Sequence, residues 1–290
     1  MKSLFILSVL ALGANICLAQ TESASATKDS AAAETPKKKN TLTLAAVYAN
    51  NANYYGQKSA EETPYAAVAA SYRLKSGFYF TGQTYKLLNE NASGVSAASV
   101  GVGVNFMLSK ALSADLSYSH SFYPAGSPLL QAANIDNASV TLAHTGWLTT
   151  TVTGDYAFGK TNDAFVTAGI SKTISLFSIS DKDVVSIAPS ADVVGGTQRF
   201  FNTYITEKQE RDSLFGLPVP LGGTRTYSDT STASATAFNA LSYNFKLPLS
   251  YSRAHYTVEA AYQVSVLSKQ SKAEPGKLNS FFTMSFYYQF

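Results

Sequence analysis

The chain has 290 residues, a formal net charge of +3 and only 14% charged residues, well under the roughly 25% of ordinary soluble domains. So weak a positive balance excludes a nucleic-acid partner held by charge, and three histidines with a single cysteine make no cluster for a metal or cofactor. Aromatic residues reach 12%, yet no run after residue 20 approaches the ~20 apolar residues of a membrane helix, so a membrane could be crossed only by strands.

In chain order, "MKSLFILSVLALGANICLAQ" carries Lys2, an apolar run from Leu4 to Leu12, and the small Ala19 before Gln20. This reads as a secretory signal peptide over residues 1–19. Cleavage after Ala19 removes Cys17 and leaves a mature chain without disulfides. Lipidation at Cys17 is the competing reading, and bulky Ile16 stands where such a signal usually has Gly or Ala. Residues 20–40 are rich in Ala, Ser and Thr, with no large apolar side chain. They cannot bury enough surface to offset their ordering entropy and read as a disordered periplasmic linker. The run Lys37 to Lys39 reads as a solvated stretch, not a contact with an anionic surface.

From residue 41 to 290 the signal is period-two alternation, because successive side chains on a strand point to opposite faces. In "SVGVGVNFML", Val100, Val102, Val104, Phe106 and Leu108 share one face and Ser99, Gly101, Gly103 and Asn105 the other. "ALSADLSYSHSF" repeats the split, with Leu112, Ala114, Leu116, Tyr118 and Phe122 against Ser113, Asp115, Ser117, Ser119 and Ser121. "ALSYNFKLPLSY", "YTVEAAYQVSV" and the closing "SFFTMSFYYQF" do the same. Candidate strands fall at 41–50, 65–74, 78–88, 95–108, 111–123, 138–145, 148–158, 164–177, 184–202, 235–251, 255–267 and 278–290. The weakest cut is at "TLAHTGWLTTTV", where the apolar parity runs from Val140 to Phe158 through either a three-residue turn or one long strand.

A β-sandwich would also alternate. These strands, however, run to ten residues or more against the usual ~5–6. Their polar faces carry Ser, Thr, Gly and Ala in place of the Lys and Glu of a solvated exterior, and their apolar faces end in Tyr or Phe. The expectation is therefore an all-β, transmembrane, antiparallel up-and-down barrel of about twelve strands, with ten to fourteen possible. Val102, Leu116 and Phe286 should face lipid and not one another.

The ending "FTMSFYYQF", with Phe286, Tyr288 and a terminal Phe290, resembles the closing strand of Gram-negative outer-membrane β-barrel proteins. The resemblance implies an outer-membrane location, contact with outer-membrane lipid, and recognition of those three aromatics by the barrel assembly machinery. The family spans pores, receptors, enzymes and structural proteins, so it fixes place better than activity.

With short turns periplasmic and long loops outside, "KSG", "SK" and "SRAH" become inner turns. "NANYYGQKSAEETP", "PAGSPLLQAANIDN", "SKQSKAEPGK" and the long segment Thr203 to Ser234 become surface loops. By parity Arg73, Asp115, Asp155, Asp192, Lys246 and Glu259 face the lumen. They would form either a charged constriction or a structural network that fills a narrow bore. The apolar stretch holding Leu214, Phe215, Leu217 and Leu221 reads as an inward plug, an outer contact surface, or a lid on its own barrel. Among the histidines, His120 and His144 share parity with lipid-facing residues and His255 sits in a turn, so none is placed to activate a serine. The functional expectation is a non-enzymatic pore for small solutes. A filled barrel acting through its outer loops stands second, and a barrel hydrolase third.

Overall fold

The computed structural model describes residues 39–89, 94–125, 127–214 and 237–290, without the side chains of 207–214. The expected signal peptide and nearly all of the linker lie outside these residues. In chain order the strands are β1 (Thr41–Ala49), β2 (Tyr65–Arg73), β3 (Phe78–Leu87), β4 (Ala97–Met107), β5 (Leu112–Phe122), β6 (Asp136–Thr145) and β7 (Thr149–Phe158). They continue as β8 (Asn162–Ser171), β9 (Ile174–Phe177), β10 (Asp183–Ile187), β11 (Ser190–Gly196), β12 (Asn239–Arg253), β13 (Tyr256–Leu267) and β14 (Leu278–Gln289). One helix, α1 (Arg199–Leu214), and a 3₁₀ turn at Leu130–Ala133 complete the described elements.

The sheet closes on itself. β1 to β8 each pair antiparallel with the next, β8 pairs with β11, and the ring returns through β12, β13 and β14 to β1. Twelve strands thus make the wall. The seam sets Leu44 opposite Tyr288 and Ala46 opposite Phe286, and the Phe290 N–H donates to the Leu42 carbonyl at 2.9 Å. The last residue is therefore part of the closure.

β9 and β10 are the lower continuations of β8 and β11. The interruption falls at Pro189, which has no N–H to give the ladder. There the Lys172 N–H donates to the Pro189 carbonyl at 3.2 Å, and the Ala188 N–H to Pro248 at 3.2 Å. Below this break β10 still pairs with the end of β12, while β9, among the described strands, pairs only with β10.

The ambiguous cut near residue 146 is a three-residue turn, Gly146-Trp147-Leu148, between paired Thr145 and Thr149. Two strands differ from expectation: the candidate at 164–177 is broken between β8 and β9, and that at 184–202 between β10 and β11. The candidate at 184–202 stops at Gly196 and the chain enters α1 at Arg199, so part of the segment read as a loop from Thr203 is helical. The reason is a change of period: Phe200, Phe201, Tyr204 and Ile205 recur at helical spacing after the paired glycines.

The outer surface is apolar at the height of the strands. Val102 is 47% exposed, Leu116 42% and Phe286 45%, and they share that surface with Phe80, Val140, Val152, Phe245, Leu247 and Tyr262. Buried inner positions are instead Ser71, Ser113, Ser119, Ser139, Thr167, Ser265 and Ser285. A soluble domain does not expose so continuous an apolar belt; this is the exterior of a barrel that spans a bilayer. Leu116→Arg, near the middle of β5, is expected to destabilise the barrel in lipid vesicles by about 2–4 kcal/mol, measured by urea titration of the folded fraction, whereas Ser117→Arg on the inner face should not show this lipid-face cost.

Candidate functional site: a plugged lumen

The lumen has two levels. At the lower level, nearer the short turns, the inward parity brings the expected charged residues into two groups. Tyr79 on β3 donates its hydroxyl to Asp115 Oδ1 on β5 at 2.8 Å, and the Arg73 guanidinium lies over the Tyr79 ring, 4.9 Å from its centroid. The ring lies across Gly103, where a Cβ would come within 2.3 Å of Tyr79 Cζ; the alternating glycines of β4 thus make room for lumen side chains. Across the barrel, Asn244 Nδ2 donates to Asp192 Oδ1 at 2.7 Å and Ser250 Oγ to Glu259 Oε2 at 3.0 Å. Lys246 lies within the attraction of both Glu259 and Asp192. Asp155 joins neither group. It sits higher, accepting from Asn137 Nδ2 at 3.3 Å, beside the hydroxyl of Tyr55.

At the upper level the lumen is closed by the segment between β1 and β2. That segment was expected to be a surface loop, and it folds inward: Asn51, Ala52, Tyr54, Tyr55, Gln57, Ser59 and Thr63 are all buried. Tyr54 and Gln57 exchange backbone hydrogen bonds at 2.8 and 3.0 Å around Tyr55 and Gly56, whose φ values of 52° and 80° fit a tight hairpin turn. Gly56 is required twice over, because its φ is positive and a Cβ would lie 2.4 Å from Ser242 Oγ. The tip is tied to the opposite wall. Ser242 Oγ donates to the Tyr55 carbonyl at 2.8 Å, and Asn279 Nδ2 to the Gly56 carbonyl at 3.0 Å.

The tip tyrosines enter an aromatic cluster. Tyr55 stacks on Phe165 at 3.8 Å, and Tyr54 meets Phe200 edge-on at 4.9 Å, with Leu130, Val194 and Leu241 around them. Each such ring pair contributes about 0.5–1.5 kcal/mol beyond simple burial. Burial pushes the Tyr54 and Tyr55 hydroxyls well above the usual phenol range, and neighbouring Asp155 and Asp163 push the same way.

A second anchor holds the rim. Asp163, at the outer end of β8, is fully buried. Its carboxylate accepts the Arg199 and Phe200 N–H groups, each at 2.9 Å, so it caps α1 from another strand and places negative charge at the helix N-terminus. The same carboxylate accepts from Asn134 Nδ2 at 3.0 Å, from Thr161 Oγ1 at 3.2 Å, and from Thr197 Oγ1. One side chain thereby joins the β5–β6 loop, the β7–β8 turn and the helix. Sequence reasoning missed both anchors. The available signals were an acid in "KTNDAF", between two candidate strands, and two adjacent tyrosines before a glycine inside a loop.

Of the residues expected in an inward plug or lid, Phe215, Leu217 and Leu221 lie outside the described residues, as does the side chain of Leu214. The histidines are where parity puts them. His120 is on the outer surface, its Nδ1 2.7 Å from Asp136 Oδ1, which also accepts the Tyr118 hydroxyl at 2.5 Å. His144 is exposed on β6, and His255 lies in the β12–β13 turn. Among the described residues no group of three or more metal-ligating side chains occurs.

No protein-family model matches the sequence, and no curated protein sequence matches it. Solved structures do align. A KdgM porin aligns at a TM-score of 0.47 and 8% identity, over 86% of this chain and 99% of that one. LpxR from Salmonella typhimurium aligns at 0.47 and 9% identity, over 85% and 99%. The COG4313 outer membrane channel from Pseudomonas putida F1 aligns at 0.46 and 11% identity, over 89% and 97%.

Two outcomes follow from the anchors. Asp163→Ala leaves buried N–H groups without their acceptor and should lower stability by about 1–3 kcal/mol, with surface proteolysis appearing within 199–214 while the barrel core stays resistant. The plug should also loosen in alkali. The docked hydroxyls of Tyr54 and Tyr55 ionise later than free ones, so docking is at full strength below the free phenol value of about 10 and is lost as pH rises beyond it. Phenolate absorbance of wild type against a Tyr54→Phe, Tyr55→Phe variant, followed with protease access to residues 50–64, checks this.

Proposed function

We propose that this chain is an exported outer-membrane barrel that passes small polar solutes, shut in the described conformation by the β1–β2 loop. The observation that carries the reading is the lower lumen, where Asp115, Asp192, Lys246, Glu259 and Arg73 project from a wall of small residues beneath a plug held by a few specific contacts. A lumen serving only as structure would need no such division between a charged bore and a separable cap. Acids outnumber bases three to two among these five lumen residues, which favours cations over anions. The signal peptide and the aromatic ending support export and assembly in the outer membrane, with outer-membrane lipid and the assembly machinery as partners. No catalytic role is assigned. His120 has an orienting carboxylate, but the pair faces outward from the lumen.

A second reading has its own observation. The stacking of Tyr55 on Phe165 and of Tyr54 on Phe200 is tight enough for a barrel that never opens and acts through its outer loops. Planar-bilayer recording separates the two. Wild type should open rarely, and Tyr54→Ser with Tyr55→Ser should pass a larger, more frequent current. In that open variant, Asp192→Asn with Glu259→Gln should shift the reversal potential away from cations. Folded, inserted protein that carries no current in either plug form would leave the non-conducting reading.

A further inference from the structure

The rim that carries the short turns is charged unevenly. Along the arc from β1 to β8, Lys39, Lys75 and Lys110 are exposed and Lys172 is half-buried. No acidic side chain stands in the rim segments 39–42, 72–78, 105–112, 144–149 and 170–174. Hydrogen bonds join these segments into one surface. Asn40 Oδ1 accepts the Lys75 N–H at 2.9 Å while its Nδ2 donates to the Tyr72 hydroxyl at 3.3 Å, which brings the residue after Lys39 onto the β2–β3 turn. The Gly77 carbonyl accepts the Asn105 N–H at 3.0 Å, and the Ala111 carbonyl accepts the Thr145 N–H at 2.7 Å. The turn holding Lys110 therefore adjoins both the Lys75 turn and the strand that leads to Trp147. Lys172 completes the arc, its ammonium 4.0 Å over the Trp147 ring.

The rest of the surface is mixed in sign. On the same rim, Asp181 and Asp183 stand against Lys182 and Arg253 around the β9–β10 hairpin, with Asp183 directly opposite Arg253 in the sheet. At the long-loop end, exposed Glu61 and Glu62 follow Lys58, and Lys277 forms an ion pair with Glu274. The basic arc also has a defined depth. Tyr72, Phe78 and Trp147, exposed by 42%, 54% and 79%, alternate with its cations around the barrel, and Tyr and Trp gather at the boundary between hydrocarbon and headgroups. The ammonium groups accordingly lie within the headgroup layer.

We infer that this arc is a docking surface for anionic phospholipids of the periplasmic leaflet, whose headgroups lie against Lys39, Lys75, Lys110 and Lys172. The cations are spread along the rim and do not converge on a pocket, so they suit a row of headgroups and not one soluble anion. A zwitterionic headgroup has no net charge for them to attract. Near an anionic surface each cation strengthens association about fivefold, and the absence of acids along the arc leaves that attraction undiminished. Lys39, expected from the sequence to be merely solvated, takes part because Asn40 fastens its neighbour to the rim. The inference rests on the reading of the chain as an outer-membrane barrel with periplasmic short turns; it does not require that the barrel conduct.

Trp147 is the one tryptophan in the chain and reports on the lipids beside it. The protein is folded into mixed vesicles of phosphatidylcholine and phosphatidylglycerol, with quenching bromines carried first by one lipid and then by the other. Phosphatidylglycerol should be preferred at Trp147 about fivefold at low salt, and the preference should vanish in molar salt, where the screening length falls to about 3 Å. Lys110→Gln should reduce it, whereas Lys269→Gln, exposed at the long-loop end, should not. Moving the reporter with Trp147→Phe and Phe78→Trp reads the other end of the arc, where Lys75→Gln should act in the same way. Equal quenching by the two lipids, or a preference that survives both lysine variants, overturns the assignment and leaves the barrel in its membrane. Quenching by neither lipid removes the membrane reading together with the site. Lysine variants that lose co-sedimentation with cell-wall sacculi while keeping the lipid preference would assign the arc to the wall polymer and overturn the lipid site.

Discussion

Inside a bilayer there is no water to pair a backbone amide, and each one left open costs several kcal/mol. Everything in this fold answers to that constraint. A sheet satisfies it only by having no edge, so β14 must find β1, and the chain spends its final residues doing so through the Tyr288 and Phe286 pairings and the Phe290 bond to Leu42. Once the ring is closed, strand geometry sends alternate side chains outward and inward. Alternation in the sequence thereby becomes a difference of solvent, hydrocarbon outside and polar atoms inside.

The inner surface then faces a problem of filling. Ser, Thr and Gly leave room, and the large inward groups divide it by height. Low in the bore, charge is paired loosely across strands, with Asp115 under Tyr79 and Arg73, and Lys246 between Asp192 and Glu259. High in the bore the filling is aromatic and comes from a loop as well as from the wall. The hairpin of this cap is held by its aromatic packing and by two carbonyl bonds at its tip, while one buried carboxylate ties the rim elements to α1. The backbone of this hairpin is not part of the closed ladder.

The wall was legible because its rule is local. A run such as Ser99 to Leu108 states its own conformation and its two faces, and from parity alone Asp192 and Lys246 could be placed inside. The three-residue turn at Gly146 was left open by the pattern, since a turn of that length preserves parity just as an unbroken strand does. The cap was illegible for the opposite reason. Whether "NANYYGQ" points outward or inward depends on Phe165, Phe200 and Ser242, which lie far away in the sequence. Asp163 drew no notice just before the candidate strand at 164–177, because the helix it caps begins 36 positions later. The overrun of β11 has a local cause, since two glycines erase the alternation just where the helical spacing takes over.

The hairpin of β9 and β10 carries a consequence for depth. Below Pro189 the outer side of β9 has no strand beside it among those described, so those backbone groups of Ile174–Phe177 that face away from β10 can be satisfied only by water or headgroups. The hydrocarbon must therefore end above Ile174. Trp147 and the Lys172 ammonium resting 4.0 Å over its ring then mark the waterline on that side of the cylinder, and the molecule carries its own draught mark, fixing how far it can sink through the leaflet.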